Sequence, residues 1–218
     1  MITLHAFGRV HPAVHGETRD LRVLWALEEM GLPYRVHGLD HTGGETKGEA
    51  FSAISPFHQI PILDDDGFVL SESAAILLHL AEKSGRLIPA DTEGRQRVTQ
   101  WCFAALSTVE TPLAMIQLID GGVMGEATST RAFMVSYAQR VLDGVERRLQ
   151  GRAWIACEDF TVADILLASV LREVRKTDLM EPFPNVRDFY ARALARPAWK
   201  RALSQYADRL GADANAIA

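Results

Sequence analysis

Three short stretches in the first third of the chain carry residue types that could bind a thiolate, a peptide-like ligand or a carboxylate. Thr18 precedes a predicted helix, where a hydroxyl group and the helix N-terminus can together stabilise a thiolate. Ile60-Pro61 opens a predicted strand, and a cis bond there would turn the backbone N–H and C=O of Ile60 toward a peptide-like ligand. Taken alone, Thr18 also fits an ordinary helix cap and Pro61 an ordinary strand-edge proline.

The third stretch is Ser71-Glu72-Ser73, which opens a predicted helix directly after a strand. The unpaired N–H groups of a helix N-terminus can bind a carboxylate, and Ser73 can add its hydroxyl. Glu72 can balance an ammonium group on the same ligand. A simpler interpretation remains open, in which Ser71 caps the helix and Glu72 favours its dipole.

The elements that must position these residues change character along the chain. The first part alternates strand and helix patterns in the order βαβ and then αββα, whereas from residue 91 onward every pattern is helical. The predicted domains are residues 1–82, a linker at 83–92 and a helical domain at 93–218. The predicted strands are 2–7, 34–39, 60–63 and 68–70, and the predicted helices are 19–30, 71–81, 95–119, 129–149, 161–174, 186–195 and 198–210.

Composition narrows the function classes. The chain has 218 residues and a formal net charge of −5, which argues against a general nucleic-acid binder. No apolar run approaches the ~18 residues of a spanning helix, and no secretory signal is visible. Cys102 and Cys157 form no metal or CxxC motif and fit small core residues, and the histidines lack ligand spacing, so we expect a cytoplasmic protein without a metal.

Five fragments in register resemble the cytosolic glutathione S-transferase family over about residues 2–210. They are Arg22–Tyr34, Ser55–Leu63, Glu72–Ile76, Phe160–Asp164, where Thr161 and Asp164 form a capping box, and Arg196–Trp199. The class within the family stays open between bacterial-type and theta-like. The resemblance implies an α/β thioredoxin-like N-terminal domain followed by an all-α C-terminal domain.

The resemblance also implies glutathione as co-substrate and a cis Ile60–Pro61 bond. Ile60 would pair through its backbone with the cysteinyl part, and Glu72 and Ser73 would hold the γ-glutamyl end. Gln59 would reach the glycine carboxylate, with His58 and Lys47 as further candidates for that end. The implied glutathione-binding residues are therefore Lys47, His58, Gln59, Ile60, Pro61, Glu72 and Ser73.

One departure from the family pattern concerns the thiol-activating residue. Relatives use Tyr, Ser or Cys after the first strand, and residues 8–31 contain none of these. Counting back from Arg22 places Thr18 at the serine or cysteine position, with Arg19 as the next candidate. The thiol–disulfide members of the superfamily use a cysteine there as nucleophile, so its absence argues against deglutathionylation and dehydroascorbate-type chemistry.

A second, hydrophobic electrophilic substrate is expected between the two domains. Its predicted lining residues are Phe7, Val10, Trp101, Leu106 and Met115. Each of them also fits an ordinary core position. The leading hypothesis is a homodimeric glutathione transferase that binds neither membrane nor nucleic acid. The alternatives are a glutathione-dependent isomerase, dehalogenase or etherase on the same fold, and a non-catalytic interaction module.

Overall fold

The computed structural model describes residues 1–125 and 127–218 and divides them into two compact units. One unit comprises Met1–Gly85 together with Arg196–Ala218, and the other comprises Arg86–Ala195. The first contains a thioredoxin-like mixed sheet and the second is helical in the part of the chain described. The predicted fold class is therefore confirmed.

A four-stranded sheet in the order β2-β1-β3-β4 forms the centre of the first unit. The strands are β1 (Ile2–Arg9), β2 (Tyr34–Asp40), β3 (Ile62–Asp65) and β4 (Phe68–Leu70). β1 and β2 are parallel and are joined through helix α1 (Asp20–Met30), whereas β3 is antiparallel to both β1 and β4. The unit also contains α2 (Glu49–Ser52) and α3 (Ser73–Ser84).

Helix α1 is almost entirely buried because its apolar residues surround the axis rather than forming one stripe. Leu21, Leu24, Trp25 and Leu27 are each at most 3% exposed. The helix ends at Gly31, whose φ of 66° is accessible to glycine at little cost and lets its N–H bond to the carbonyl of Leu27. The start of α1 is consequently held in a fixed position next to the end of β1.

Three predicted element starts in this unit, those of α1, α3 and β3, are shifted by one or two residues. Thr18 does not cap α1: the N-cap residue is Arg19, whose side chain makes no capping hydrogen bond. The prediction was wrong because the Thr18 hydroxyl bonds to another side chain instead. Helix α3 begins at Ser73 rather than at Ser71, with Glu72 as its N-cap residue, and β3 begins two residues after Ile60.

The second unit contains α4 (Thr92–Phe103), α5 (Glu110–Asp120), α6 (Thr128–Leu149), α7 (Val162–Leu171) and α8 (Pro184–Leu194). A π-helical segment, Ala104–Val109, lies between α4 and α5, so the predicted single helix over 95–119 is interrupted in its hydrogen-bond pattern. The predicted capping box of α7 is present, with Thr161 as its N-cap residue.

Helices α9 (Pro197–Leu210) and α10 (Ala214–Ile217) belong to the first unit, whereas the predicted boundaries placed them in the helical domain. The reason is the packing of α9 against α1. The rings of Trp25 and Trp199 lie 4.9 Å apart, and Arg196 binds both carboxylate oxygens of Glu29 at 2.6 and 2.8 Å. Secondary-structure patterns could show that α9 is a helix but not where it packs.

By length and composition alone, the 29-residue stretch Thr92–Asp120 is apolar enough to cross a membrane. The core helix of a soluble protein passes the same test, so this is weak evidence for a membrane span.

Candidate active site

The Thr18 side chain is half-buried and hydrogen-bonded to the last long helix of the chain. Its Oγ1 lies 2.7 Å from the hydroxyl oxygen of Tyr206 on α9. That same Tyr206 oxygen accepts the backbone N–H of Gly16 at 3.2 Å. The loop before α1 is therefore attached to α9 at two points, and the Thr18 hydroxyl has a fixed neighbour on one side.

A buried ion pair lies next to Thr18. Asp20 has no exposed surface, and its Oδ2 accepts from Nη2 of Arg209 at 2.8 Å and from the backbone N–H of Phe7 at 3.3 Å. Its Oδ1 is buried and has no hydrogen-bond partner among the described residues. Burial raises the pKa of Asp20, while the Arg209 charge and the Thr18 hydroxyl act in the opposite direction.

Arg209 also donates through Nε to the carbonyl of Phe7 at 2.8 Å. The guanidinium therefore holds the end of β1 and the first turn of α1 together from the side of α9. Because Tyr206 and Arg209 are three residues apart, they project from the same face of α9.

The start of α3 has the geometry expected of a carboxylate site. Glu72 is exposed and adopts φ 66°, a left-handed conformation that is strained for a residue other than glycine. Ser73 follows at the first helical position and is 3% exposed, and its Oγ accepts from Nη1 of Arg22 at 3.4 Å. The buried Arg22 guanidinium thus adds positive charge to that of the helix N-terminus.

The Ile60–Pro61 peptide bond is cis, as the family resemblance implied. Ile60 packs with Leu39, Phe51 and Ile62, and the Phe7 side chain contacts the same cluster. The Ser55 hydroxyl closes the preceding loop, since it donates to the carbonyl of Gln59 at 3.0 Å and accepts the Gln59 N–H at 2.9 Å. The Gln59 side chain is exposed.

His58 and Lys47 lie at one corner of the first unit. The Nδ1 atom of His58 lies 2.9 Å from the carbonyl oxygen of Thr46, the residue before Lys47. A carbonyl only accepts, so Nδ1 carries the proton, and a neutral His58 ring presents an acceptor at Nε2. Both residues are exposed, and Lys47 is the better of the two for a carboxylate because its ammonium group offers only donors.

The residues predicted for the second substrate fall in both units. Phe7 and Val10 belong to the first unit, where Phe7 packs edge-to-face with His41 at 5.5 Å. Trp101, Leu106 and Met115 belong to the second and are each half-buried. Their role in binding an electrophile stays a prediction.

Neither cysteine has the environment of a reactive thiol. Cys102 is completely buried, and burial raises the pKa of its thiol to about 12. Burial also raises the pKa of Cys157. Within residues 1–125 and 127–218, no group of three or more His, Cys, Asp or Glu side chains is placed to hold a metal ion.

Four residues around this site were missed by the sequence analysis as site residues: Asp20, Arg22, Tyr206 and Arg209. In the sequence analysis Arg22 was used only as the reference from which the position of Thr18 was counted. Tyr206 and Arg209 had no usable signal, because Thr18 and Tyr206 are 188 positions apart in the chain. Asp20 gave no usable signal either, since an acidic residue in the first turn of a helix is common and does not indicate a buried partner.

Comparison with known proteins agrees with this architecture. The family model for the N-terminal domain of glutathione S-transferase matches residues 21–83, and the model for its C-terminal domain matches residues 117–205. Glutathione S-transferase hmp2 of Hypomyces subiculosus is 32% identical over 203 residues, covering 84% of this chain and 93% of that protein. Disulfide-bond oxidoreductase YfcG of Escherichia coli is 30% identical over 190 residues, covering 81% and 86%.

Solved structures give the same result. A glutathione transferase family member from Pseudomonas fluorescens, solved with two glutathione bound, has a TM-score of 0.81 at 28% identity. It covers 92% of this chain, and this chain covers 91% of it. A glutathione transferase from Burkholderia graminis has the same TM-score at 29% identity, with coverages of 92% and 86%.

The fold defines a thioredoxin-like domain accompanied by a helical domain. The chain belongs to the glutathione S-transferase family. The family prediction made from the sequence is confirmed.

Proposed function

We propose that this chain binds reduced glutathione across the starts of α1, β3 and α3 and stabilises its thiolate with the Thr18 hydroxyl. The activity, glutathione transferase with glutathione as co-substrate, agrees with the prediction from the sequence. The residues assigned to it are the proposal.

The observation that carries this assignment is the hydrogen bond between Arg22 and Ser73. Arg22 lies one helical turn after Thr18, so this bond brings the first turn of α3 next to the first turn of α1. A ligand whose carboxylate lies at Ser73 can therefore place a thiol a few bonds away near Thr18. Glu72 pairs with the ammonium group, and the Ile60 backbone pairs with the cysteinyl peptide unit.

The opposite end of glutathione carries the glycine carboxylate. Gln59 and Lys47 bind it, with His58 as a further candidate at the same corner. Arg19, at the N-cap position of α1, adds positive charge near the thiolate.

The electrophile is hydrophobic and contacts Phe7, Val10, Trp101, Leu106 and Met115. The enzyme is a homodimer located in the cytoplasm.

The first experiment pairs calorimetry with a thiol titration. Glutathione is titrated into the protein, and the pKa of the bound thiol is read from the ultraviolet absorbance of its thiolate. Thr18→Val, which keeps the shape of the side chain, should raise that pKa by about 1 to 2 units, because a hydrogen bond to a charged group contributes about 1.5–3 kcal/mol. Thr18→Ser should keep the wild-type value.

An unchanged pKa in Thr18→Val would move thiol activation to another group, with Arg19 next to be tested. If the protein does not bind glutathione at millimolar concentration, the transferase assignment is wrong. The remaining hypothesis is then a non-catalytic interaction module.

A second reaction follows from the relative named a disulfide-bond oxidoreductase. Bound glutathione thiolate can itself attack a disulfide, forming a mixed disulfide and releasing one thiol. A second glutathione then releases the other thiol and leaves glutathione disulfide, so no protein cysteine is needed. A substrate screen should therefore include a small disulfide beside aryl and alkyl electrophiles.

A further inference from the structure

We propose that Tyr206 is a positioning residue that donates its phenol hydrogen to Thr18 Oγ1 and so directs the Thr18 hydrogen toward the glutathione thiolate. The proposal rests on the proposed function, since it assigns Tyr206 a role only through Thr18. It extends the active site to α9, a helix at the opposite end of the chain.

The contacts of Tyr206 favour one direction for this hydrogen bond. The Gly16 N–H already donates to the Tyr206 oxygen at 3.2 Å, so one acceptor position of that oxygen is occupied. A phenol is also the more acidic hydroxyl and hence the better donor, whereas the alkyl hydroxyl of Thr18 is the better acceptor. At 2.7 Å the bond between the two oxygens has the normal length for O–H···O.

The surroundings of Tyr206 keep its phenol protonated, so that it can donate a hydrogen bond. Burial and the neighbouring Asp20 carboxylate raise the pKa of Tyr206 to about 12, so the phenol stays protonated at neutral pH. Arg209 lies over the Tyr206 ring at 5.4 Å and pairs with Asp20. Arg209 thereby compensates the negative charge of Asp20 next to Thr18, so that this charge repels a bound thiolate less.

The consequence is a chain of hydrogen bonds that all point the same way. The Gly16 N–H donates to Tyr206, and Tyr206 donates to Thr18. The Thr18 hydroxyl has one hydrogen, for which the Asp20 carboxylate competes. Because Asp20 already accepts from Arg209 and from the Phe7 N–H, the Thr18 hydrogen goes to the glutathione sulfur in the proposed arrangement. Hydrogen bonds in such a chain polarise one another, so the last donor is strengthened and its orientation is fixed. A threonine can in this way perform a task that relatives give to Tyr, Ser or Cys.

The test replaces Tyr206 by phenylalanine and measures the pKa of bound glutathione thiol. Tyr206→Phe should raise that pKa by about 0.5 unit. At a pH below the thiol pKa this means about threefold less thiolate. The shift is small because the variant keeps the Thr18 hydroxyl and loses only the hydrogen bond from Tyr206 that orients it. The affinity for glutathione measured below the thiol pKa should stay within about twofold, since uncharged thiol gains little from the chain.

Tyr34→Phe is the matched control. The Tyr34 hydroxyl also reaches α9, where it contacts Gln205, and it donates to Glu28 at 2.9 Å. Glu28 lies near the other end of α1, about 15 Å from Thr18 at 1.5 Å per residue. This variant loses a comparable contact to α9 and should leave the bound-thiol pKa unchanged.

A double variant shows whether Tyr206 acts through Thr18. In the Thr18→Val background, Tyr206→Phe should cause no further rise of the bound-thiol pKa. A further rise there would overturn the proposal, and so would a wild-type pKa in the single variant Tyr206→Phe. If glutathione bound to the wild-type enzyme has the same thiol pKa as free glutathione, the proposed thiolate stabilisation by Thr18 is wrong. The role proposed for Tyr206 is then wrong as well.

If Tyr206→Phe does not fold, site-specific 3-fluorotyrosine at position 206 keeps the packing and gives a more acidic, stronger donor. The bound-thiol pKa should then fall below the wild-type value. An unchanged or higher value would contradict the proposal.

Discussion

Ser73 shows how a single residue can combine a structural and a binding role. Its hydroxyl accepts from the buried Arg22, and as an acceptor it still has its own hydrogen to donate. Its backbone N–H belongs to the first turn of α3, where no intrahelical acceptor exists. Both groups are therefore suited to bind a carboxylate at the N-terminal end of the helix.

Ser73→Ala should weaken glutathione binding by about tenfold or more, because one hydrogen bond to a charged group, about 1.5–3 kcal/mol, is lost while the backbone donors remain. Calorimetric titration with reduced glutathione measures the change. Ser84→Ala is the control, since Ser84 ends the same helix and donates to the carbonyl of Leu80 at 2.8 Å within it. Equal affinities of both variants would place the carboxylate elsewhere.

At the scale of an element, the first turn of α7 depends on one buried carboxylate. Asp164 accepts from the N–H of Ile155 at 2.7 Å, from the N–H of Thr161 at 2.8 Å and from the Thr161 hydroxyl at 2.9 Å. These bonds favour the ionised form, but burial opposes it more strongly and raises the pKa of Asp164 to about 6.

The raised pKa of Asp164 predicts a pH dependence of stability with a definite sign. Between the unfolded value of 3.8 and about 6, the folded state binds the proton more tightly, so stability falls as the pH rises through this window. Relative to Asp164→Asn, which does not titrate, the wild-type free energy of unfolding should decrease by up to about 3 kcal/mol between pH 4 and pH 7.

Chemical denaturation of both proteins across this pH range measures the difference. If the wild-type free energy of unfolding instead rises with pH relative to that of Asp164→Asn, the three hydrogen bonds outweigh burial and the pKa of Asp164 is depressed in the fold.

At the scale of the whole molecule, the first compact unit is assembled from both ends of the chain. Without α9, Trp25 would lose the ring of Trp199 and the buried Asp20 would lose Arg209. Leaving one buried charge unpaired costs about 3–5 kcal/mol, which is a large part of the roughly 5–15 kcal/mol that stabilises a whole domain.

Deletion of residues 196–218 should therefore unfold the first unit, although its sheet and the helices α1 to α3 remain in the chain. Hydrogen exchange of β1 and α1 and near-ultraviolet circular dichroism would report this loss. Deletion of residues 212–218 alone is the control, because it keeps α9 with Tyr206 and Arg209 and should leave β1 and α1 protected. Equal protection in both deletions would contradict the role assigned to α9.

The sequence by itself determined most of the strands and helices, and it indicated candidate ligand-binding motifs that stay a prediction. Local patterns sufficed for the sheet strands and the long helices, because hydrophobic periodicity, turn residues and Gly31 act over a few residues. The capping box at Thr161 and Asp164 is likewise local, since both partners lie within one turn. Family resemblance supplied the cis bond at Pro61, which the residue pair alone did not indicate.

Only the tertiary structure decided what surrounds Thr18. Its local sequence suggested a helix cap, yet its hydroxyl bonds to Tyr206, which is 188 positions away. The same holds for Asp20 and Arg209, whose pairing depends on where α9 packs. Helical periodicity shows which face of α9 is apolar but not which surface that face will meet. Long-range packing therefore selected the neighbours of Thr18.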